Sequence, residues 1–436
     1  MNTPVSKRRN LKLVALVSSA NFMEMFDFMV FGFYSTWIAR TFFPAASEFA
    51  SMMLTFATFG AGFLMRPIGA IVLGAYIDQR GRRAGLTMAL TLMTLGTLSI
   101  ACMPGYDRVG IIAPLVVLIG RLLQGFSAGA EVGGTSVYLS EIATPGNKGF
   151  FVSWQSASQQ MAVVFASFIG MTLSRNLSPA EMGAWGWRIP FFIGCLIIPC
   201  VFLIRNHLEE SPAFVARTHK PPGLRQVIAS MARSWRIVAL GTMLVMMTTV
   251  SFYLITVYTP TYGNSVLKLT PGESLMVSFC VGLSNFILLP VMGALSDRIG
   301  RRPQLIACTV LALVTAYPAL WWLAQAPSFG RLLGVELWLA LVYAGYNGAM
   351  IVYLTEVMPA DVRTTGFSLA YSLATAIFGG LTPAICTWLI HTTGDKAVPG
   401  IWLAIAAAVS LIATLILTWR AKRQVAAHAV PALATT

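Results

Sequence analysis

The sequence predicts an all-α membrane protein with twelve transmembrane helices, arranged as two six-helix halves related by a pseudo-twofold axis. Three observations support this prediction: the composition, the apolar runs and a motif that occurs once in each half. Of 436 residues, 56% are hydrophobic and only 11% are charged, whereas soluble domains average about 25% charged residues. So few charged side chains cannot cover the surface of a soluble globule of this size, which excludes a soluble fold.

Twelve apolar runs reach the length of roughly 20 residues that a membrane-spanning helix requires. We number them spans 1 to 12, and they cover residues 13–38, 51–76, 86–103, 111–138, 149–174, 189–206, 237–261, 273–296, 304–325, 332–357, 365–390 and 400–419. The longest polar interval, Arg205 to Arg236, separates span 6 from span 7. The predicted domains are an N-terminal half (1–206), a cytoplasmic central loop (207–236), a C-terminal half (237–420) and a cytoplasmic tail (421–436).

The formal net charge of +14 would suit a nucleic-acid-binding protein. The positions of the basic residues therefore have to distinguish nucleic-acid binding from membrane topology. They lie in short loops between apolar runs and form no stripe or tail. With a cytoplasmic N-terminus, 21 Lys and Arg residues fall on the cytoplasmic side and seven on the external side, as the positive-inside rule requires. The sequence therefore predicts a multi-pass protein of the lipid bilayer with both termini in the cytoplasm and no nucleic-acid partner.

A repeated motif relates the two halves. GAYIDQRGRR, Gly74 to Arg83, recurs as GALSDRIGRR, Gly293 to Arg302, after an interval of 219 residues. Each copy ends the second span of its half and opens a short loop. Parallel internal repeats of this kind are common in secondary transporters, which bind their substrates between the repeats near the midplane.

These features resemble the major facilitator superfamily of secondary transporters. The stretches RLLQGFSAGAEVGGTSVYLSEIATPGNKG, GWRIPFF, ESPAF and LTEVMPADVRTTGFSLAYSLATAIFGGLTP are similar to the metabolite:proton symporters, and NFMEMFDFMVFGFYSTWIARTFFP, SWQSASQQ and FYLITVYTPTYG to the bacterial citrate and tricarballylate proton symporters. The resemblance implies the major facilitator fold in a bacterial cell inner membrane. It also implies proton-coupled symport of citrate, or of a related tricarboxylate such as tricarballylate, into the cell by alternating access.

Several alternatives stay open at this point. Relatives that carry a dicarboxylate such as 2-oxoglutarate, or an osmolyte such as proline or betaine, share most of the motifs, and sodium could replace the proton in citrate uptake. A nutrient sensor on a transporter fold and a channel are alternatives of another class. No enzyme is expected, because no catalytic constellation or Walker loop is present, and neither a cofactor nor a metal site is predicted. We expect a monomer.

The two copies of the loop motif are the candidate gating elements. By resemblance they act as cytoplasmic latches between helices, which gives gating roles to Asp78, Gly81, Arg82, Arg83, Asp297, Gly300, Arg301 and Arg302. The physical argument agrees, because an Asp at a helix end beside arginines forms charge-assisted hydrogen bonds that must break when the halves rock.

Span 1 contains two acids, Glu24 and Asp27, in an otherwise apolar run. An ionised group within a span costs roughly 2.5 to 3.5 kcal/mol on insertion scales, so each such residue is a candidate functional group. Asp27 lies about fourteen residues into the span, or roughly 21 Å along the helix, which is beyond the midplane of a 30 Å core. We predict that both acids take part in proton coupling, and the sequence leaves open which of them carries the proton.

Arg121 begins a polar stripe along span 4 that also contains Gln124 and Glu131. It is either a counter-charge for Asp27 or Glu24 or a bidentate clamp for a substrate carboxylate. Glu131 joins the proton-coupling candidates, and Arg66 is assigned to structure and gating. The predicted substrate-binding residues share a polar side chain inside a span, and they are Arg121, Gln124, Asn21, Gln155, Gln159, Tyr346, Asn347 and Tyr253.

Overall fold

The structure, a computed structural model, describes residues 21–22, 24–80, 82–129, 131–144, 146–196, 229, 233–359 and 363–429. Within these ranges the side chains of residues 74, 75, 77–80, 82, 83, 86, 131–134, 142 and 421–429 lie outside the description. The N-terminus, most of the central loop and the end of the tail therefore remain predictions. The described backbone is helical and contains no β-strand.

The helices of the N-terminal half coincide with the predicted spans 1 to 6, and some spans are divided into two helices. Their bounds are 24–33 and Ser35–Phe42 for span 1, Glu48–Leu64 and Arg66–Arg80 for span 2, Arg82–Cys102 for span 3, Ile112–Ala128 and Glu131–Ile142 for span 4, Lys148–Asn176 for span 5, and a described portion, 189–196, for span 6. Short helices, Tyr106–Val109, Pro179–Ala184 and Gly186–Arg188, lie in the connections.

The helices of the C-terminal half coincide with spans 7 to 12. They are Trp235–Phe252 for span 7, Pro271–Ile299 for span 8, Arg301–Gln325 for span 9, Phe329–Val357 for span 10, Arg363–Ala374 and Thr382–Thr393 for span 11, and Pro399–Ala429 for span 12. Span 7 continues through π-helical Tyr253–Tyr258, helical Thr259–Thr261 and π-helical Tyr262–Val266, and span 11 contains π-helical Thr375–Gly379. These wide turns are where the helix is locally least regular.

Length and composition make seven continuous helices of the described chain suitable for crossing a membrane. Two shorter helices, Thr87–Cys102 and Ile112–Ala128, are also apolar. Large aliphatic side chains such as Ile287, Val314 and Leu415 are half or more exposed on the outside of the bundle. In water this surface would be unfavourable, whereas lipid tails cover it at no cost.

Sequence signals explain where several spans begin. Ser47, Thr270 and Ser328 precede spans 2, 8 and 10, and the side chain of each accepts a hydrogen bond from a backbone N–H of the first turn. Pro271 follows Thr270 at the first helical position, where the missing N–H of proline has no cost. Span 8 ends at Gly300, whose φ of +91° favours glycine.

The two halves contact each other at both ends of the bundle. We call the end that carries the Gly293–Arg302 motif the motif end, and the other the opposite end. At the motif end, span 5 crosses span 8 so closely that a Cβ on Gly149 would lie 2.2 Å from the carbonyl oxygen of Gly293. At the opposite end, the hydroxyls of Ser35 in span 1 and Thr261 in span 7 are 3.1 Å apart. The residues between these two contact zones are therefore enclosed by both halves.

Candidate functional site

The two acids of span 1 are both buried, but they have different partners. Glu24 forms an ion pair with Arg66 of span 2, with 2.8 Å between Oε1 and Nη2, and both side chains are at most 3% exposed. Asp27 accepts hydrogen bonds from the hydroxyl of Thr97 in span 3 and from Nε2 of Gln124 in span 4, the latter at 3.4 Å. The spacing of three residues thus directs one carboxylate towards span 2 and the other towards spans 3 and 4.

Arg121 is fully buried and is joined to Asp27 through Gln124. Its Nη1 donates to Oε1 of Gln124 at 2.8 Å, and Nε2 of Gln124 also donates to the Thr97 hydroxyl at 2.9 Å. The remaining donors of Arg121, Nε and Nη2, are buried without a hydrogen-bond partner. An arginine in a low-dielectric region with two unused donors is strongly unfavourable unless an anion completes it.

Aromatic rings surround both arginines. The Phe28 ring lies 4.6 Å from the guanidinium carbon of Arg66 and 4.5 Å from that of Arg121. Arg121 also lies 4.5 Å from the Phe31 ring and 5.0 Å from the Phe59 ring. Such cation–π contacts partly replace the lost water around the guanidinium groups, and they hold the two cations side by side near the acids.

The C-terminal half closes this site with Tyr253. The Tyr253 ring, at the start of the π-helical part of span 7, lies 5.2 Å from the Phe63 ring and 6.2 Å from the Phe59 ring. Behind it, a Cβ on Gly379 in the π-helical part of span 11 would lie 2.8 Å from the same ring. The predicted candidate Tyr253 therefore joins the cluster of Arg66, Arg121 and Phe28, which we call the paired-arginine site.

The other residues predicted to bind substrate differ in their burial and hydrogen bonds. Asn21, Gln155 and Asn347 are buried and each has amide atoms without a partner. Gln159 is also buried. Tyr346 is different, because its hydroxyl donates to the Leu244 carbonyl oxygen at 2.7 Å.

Tyr346 therefore packs among spans 7, 10 and 12, where the Ser410 hydroxyl also lies 3.3 Å from the Leu244 carbonyl oxygen. The structure does not bring Tyr346 to the paired-arginine site, since its hydroxyl serves helix packing inside the C-terminal half. The side chain of Glu131 lies outside the description.

Sequence reasoning missed three kinds of residue. It overlooked Thr97, which contacts Asp27, because a threonine in a span is an ordinary packing residue. It also gave no role to Phe28 and Phe31, although both follow the acids at helical spacing. The third is Glu336 in span 10. An acidic residue inside an apolar run is visible in the sequence and could have been identified there as a candidate functional residue.

The loop motif of the C-terminal half is hydrogen-bonded to the start of span 5. The Asp297 carboxylate accepts hydrogen bonds from the backbone N–H groups of Gly149 and Phe150 at 2.9 and 3.1 Å. Arg301 lies 2.7 Å from Asp297 and 3.6 Å from Glu356 of span 10. The carboxylate thereby caps the positive end of the span 5 helix across the junction between halves.

The structure gives less information on the remaining gating candidates. Gly300 ends span 8 and Arg302 lies in the first turn of span 9. For the copy in the N-terminal half, Gly81 and the side chains of Asp78, Arg82 and Arg83 lie outside the description. Their gating role stays a prediction.

We expect Asp297→Asn to weaken closure of the motif end, because it replaces charge-assisted hydrogen bonds by neutral ones. A loss of about 1.4 kcal/mol would raise the open population about tenfold. The measurement is the labelling rate of a cysteine introduced at Ser153, which is buried beside Gly293, in a background without the native cysteines. Asp107→Asn, a change of an exposed acid at the opposite end, is the control. Equal labelling rates in the two variants would rule out the latch.

Comparison with known families identifies the class of protein that this fold and site define. The sequence matches the Major Facilitator Superfamily over residues 17–383 and again over residues 269–433. The chain belongs to that superfamily, so the predicted fold of twelve transmembrane helices is confirmed.

Two relatives and one solved structure are similar to this chain over most of its length. The chain is 60% identical to the citrate-proton symporter of Salmonella typhi over 423 residues, which cover 97% of each sequence. It is 61% identical to the citrate-proton symporter of Klebsiella pneumoniae over 398 residues, or 91% of this chain and 89% of the relative. Among solved structures, the partially occluded inward-open xylose transporter XylE from E. coli superimposes with a TM-score of 0.72 at 17% identity, covering 94% of this chain and 97% of that one. This last likeness concerns the fold alone.

Proposed function

We propose that the protein is a proton-coupled symporter that carries citrate, or a related tricarboxylate such as tricarballylate, into a bacterial cell. The observation that carries the proposal is Arg121, which has two buried donors without a partner beside a second arginine and an acid that can take up a proton. A polycarboxylate supplies what these donors lack. The names of the relatives at 60% and 61% identity support the same substrate.

The paired-arginine site fits an anion with several carboxylates. Arg121 offers Nε and Nη2 to one carboxylate in the bidentate arrangement that guanidinium groups favour. Arg66 has its Nε buried without a partner, and the amide nitrogens of Asn21 and Gln155 are also buried without one. Two cations and several amides suit a substrate whose charge is partly neutralised by protons.

Asp27 is the proposed proton carrier of this site. Its Oδ1 is buried without a partner, while Oδ2 receives both hydrogen bonds. Gln124 bonds to Arg121 and to Asp27, so a substrate carboxylate that draws Arg121 away also alters the hydrogen bonding of Asp27. Binding of the anion and binding of the proton are thereby linked through one amide.

Glu24 has a different proposed task. Its ion pair with Arg66 keeps that cation in place next to Phe28. Because breaking a buried ion pair costs several kcal/mol, this pair is suited to hold the site rather than to exchange protons. We accordingly assign the holding role to Glu24 and the carrying role to Asp27.

The two contact zones between the halves support alternating access. The proposed rigid units are the N-terminal half (1–206) and the C-terminal half (237–420), with the loop 207–236 and the tail 421–436 in the cytoplasm. Opening the motif end breaks the Asp297 latch, and opening the opposite end separates span 1 from span 7. The proposed transporter is monomeric, since each polypeptide contains both halves.

Uptake into proteoliposomes tests the proposal. An imposed inward proton gradient should drive accumulation of labelled citrate or tricarballylate in sodium-free medium, whereas 2-oxoglutarate and proline should compete poorly. Citrate that is not taken up would end the substrate assignment. Uptake that needs sodium and ignores the proton gradient would end the proton assignment, and a failure of counterflow exchange with net flux intact would indicate a channel.

A further inference from the structure

Glu336 is a buried carboxyl group of the C-terminal half that the proposed transport cycle does not use. It lies in span 10, seven residues after Phe329, and is 3% exposed. At 1.5 Å per residue, this is about 11 Å from the opposite end of the bundle. Within the described ranges, no Lys, Arg or His forms an ion pair with it. A buried acid without a cation requires an explanation in a membrane-spanning helix.

The surroundings of Glu336 favour a protonated carboxyl group. Thr259 of span 7 places its hydroxyl 3.0 Å from Oε1 of Glu336 and 3.2 Å from the Leu254 carbonyl oxygen. A hydroxyl has one proton to donate. If Glu336 is ionised, Thr259 must share this single proton between Glu336 and Leu254. If Glu336 is protonated, it can donate to Thr259 while Thr259 donates to Leu254, so that each contact has its own proton. Oε2 of Glu336 is buried without a partner, which a neutral acid tolerates far better than a carboxylate.

The titratable groups near this carboxyl provide no compensating charge. Tyr262 of span 7 lies close enough to interact with Glu336, with Cys386 of span 11 and with Asp395. The Tyr262 hydroxyl donates to the Lys396 carbonyl oxygen at 2.8 Å, and that of Tyr317 in span 9 lies 3.1 Å from Asp395. These neighbours are neutral or acidic side chains, or a backbone carbonyl, so none of them would stabilise an ionised Glu336.

Thr259 lies within the segment of span 7 that closes the opposite end. Val257 fills the space against Gly32 of span 1, where a Cβ would meet it at 2.4 Å. The Tyr258 ring lies 6.3 Å from the Phe56 ring of span 2, and Thr261 contacts Ser35. The residue that contacts Glu336 is thus flanked on both sides by residues that contact the N-terminal half.

We propose that Glu336 is a second proton-binding site, and that its proton stabilises the contact of span 7 with spans 1 and 2. The inference rests on the proposed function as a proton-coupled symporter. When the proton leaves, the carboxylate requires water or another donor, which favours separation of span 7 from the N-terminal half and opening of the opposite end. A proton taken up from that side then favours closure of the opposite end, so proton uptake and closure are coupled.

The occupant is a proton rather than a metal cation. Hard cations prefer several oxygen ligands, and the structure offers one carboxyl group and one threonine hydroxyl at this point. Sodium remains an outcome of the test.

The test is the number of protons carried per citrate by Glu336→Gln. Glutamine is neutral and its amide can donate to Thr259, so the closed contact is kept. We expect citrate counterflow within about threefold of the wild type and a proton-to-citrate ratio lower by about one. Exchange should also depend less on the pH at the opposite side, and the remaining dependence should come from Asp27. The ratio is measured from the pH gradient that just balances an opposing citrate gradient.

Three outcomes decide the matter. Glu273→Gln, which changes a partly exposed acid of the first turn of span 8, should keep the wild-type ratio. If Glu336→Gln also keeps it while the wild type is proton-coupled, the inference is wrong and the proposed function stands. If the wild type itself carries no protons, the proposed function fails first. A sodium requirement that Glu336→Gln removes would replace the proton by sodium at this site.

A second measurement tests the inference even if Glu336→Gln does not transport citrate. The infrared band of protonated carboxyl groups should lose intensity in Glu336→Gln relative to the wild type, both in detergent without substrate. An unchanged band would show that Glu336 is ionised, contrary to the inference.

Discussion

Arg121→Lys should reduce proton-driven citrate uptake by on the order of 100-fold or more. Lysine keeps the positive charge, but it cannot offer two parallel N–H donors to one carboxylate, nor stack in the same way against Phe28 and Phe31. Each charge-assisted hydrogen bond contributes about 1.5 to 3 kcal/mol, and about 1.4 kcal/mol corresponds to a factor of ten. Initial uptake rates over a range of citrate concentrations are the measurement.

The control for this substitution is Arg40→Lys. Arg40 lies at the opposite end, its side chain is 70% exposed, and its ion pair with Glu48 can be kept by lysine. We expect uptake within about twofold of the wild type, as for most exposed pairs. If Arg121→Lys transports citrate as well as Arg40→Lys does, the guanidinium group does not contact the substrate, and Arg121 is only a counter-charge for the Asp27 network.

Asp27→Asn should abolish accumulation of citrate against its gradient while leaving counterflow exchange measurable. Asparagine retains an oxygen that accepts from Thr97 and Gln124, so the hydrogen-bond network persists, but the side chain no longer exchanges a proton. Accumulation requires that exchange, whereas exchange of one citrate for another does not. The two assays, performed on the same proteoliposomes, separate coupling from binding.

Two companion variants sharpen this test. Asp107→Asn, at an exposed position of the opposite end, should leave both assays unchanged. Glu24→Gln removes the charge that holds Arg66 and should weaken citrate binding in both assays together. Full accumulation by Asp27→Asn would transfer the coupling role away from Asp27, and a selective loss of accumulation in Glu24→Gln would transfer it to Glu24.

The paired-arginine site shows how far sequence reasoning reaches. Glu24, Asp27, Arg66 and Arg121 stand out because ionisable residues are rare within spans, and this rarity is visible in the sequence. The sequence does not show which acid pairs with which arginine. Arg66 was assigned to structure and gating, and its partner turns out to be Glu24. Arg121 reaches Asp27 only through Gln124.

Tyr346 and Glu336 show what helical periodicity leaves open. Tyr346 was predicted to bind substrate as a polar side chain inside a span, and in the structure its hydroxyl donates to the Leu244 carbonyl oxygen. Glu336 was passed over although a lone acid in a span is a stronger signal. Helical periodicity orders residues around one helix, but it does not say which neighbouring helix each face meets.

The amino-acid sequence alone was enough to predict the all-α membrane class, the number of spans, the repeat that relates the halves and the family resemblance. These depend on hydrophobic length, charge distribution and local motifs, which are properties of contiguous residues. The packing of the helices sets which acid meets which arginine, brings both guanidinium groups against the Phe28 ring, and places Thr259 in contact with Glu336. These contacts join residues 38 to 97 positions apart, and they arise from packing of whole helices, which no local pattern specifies.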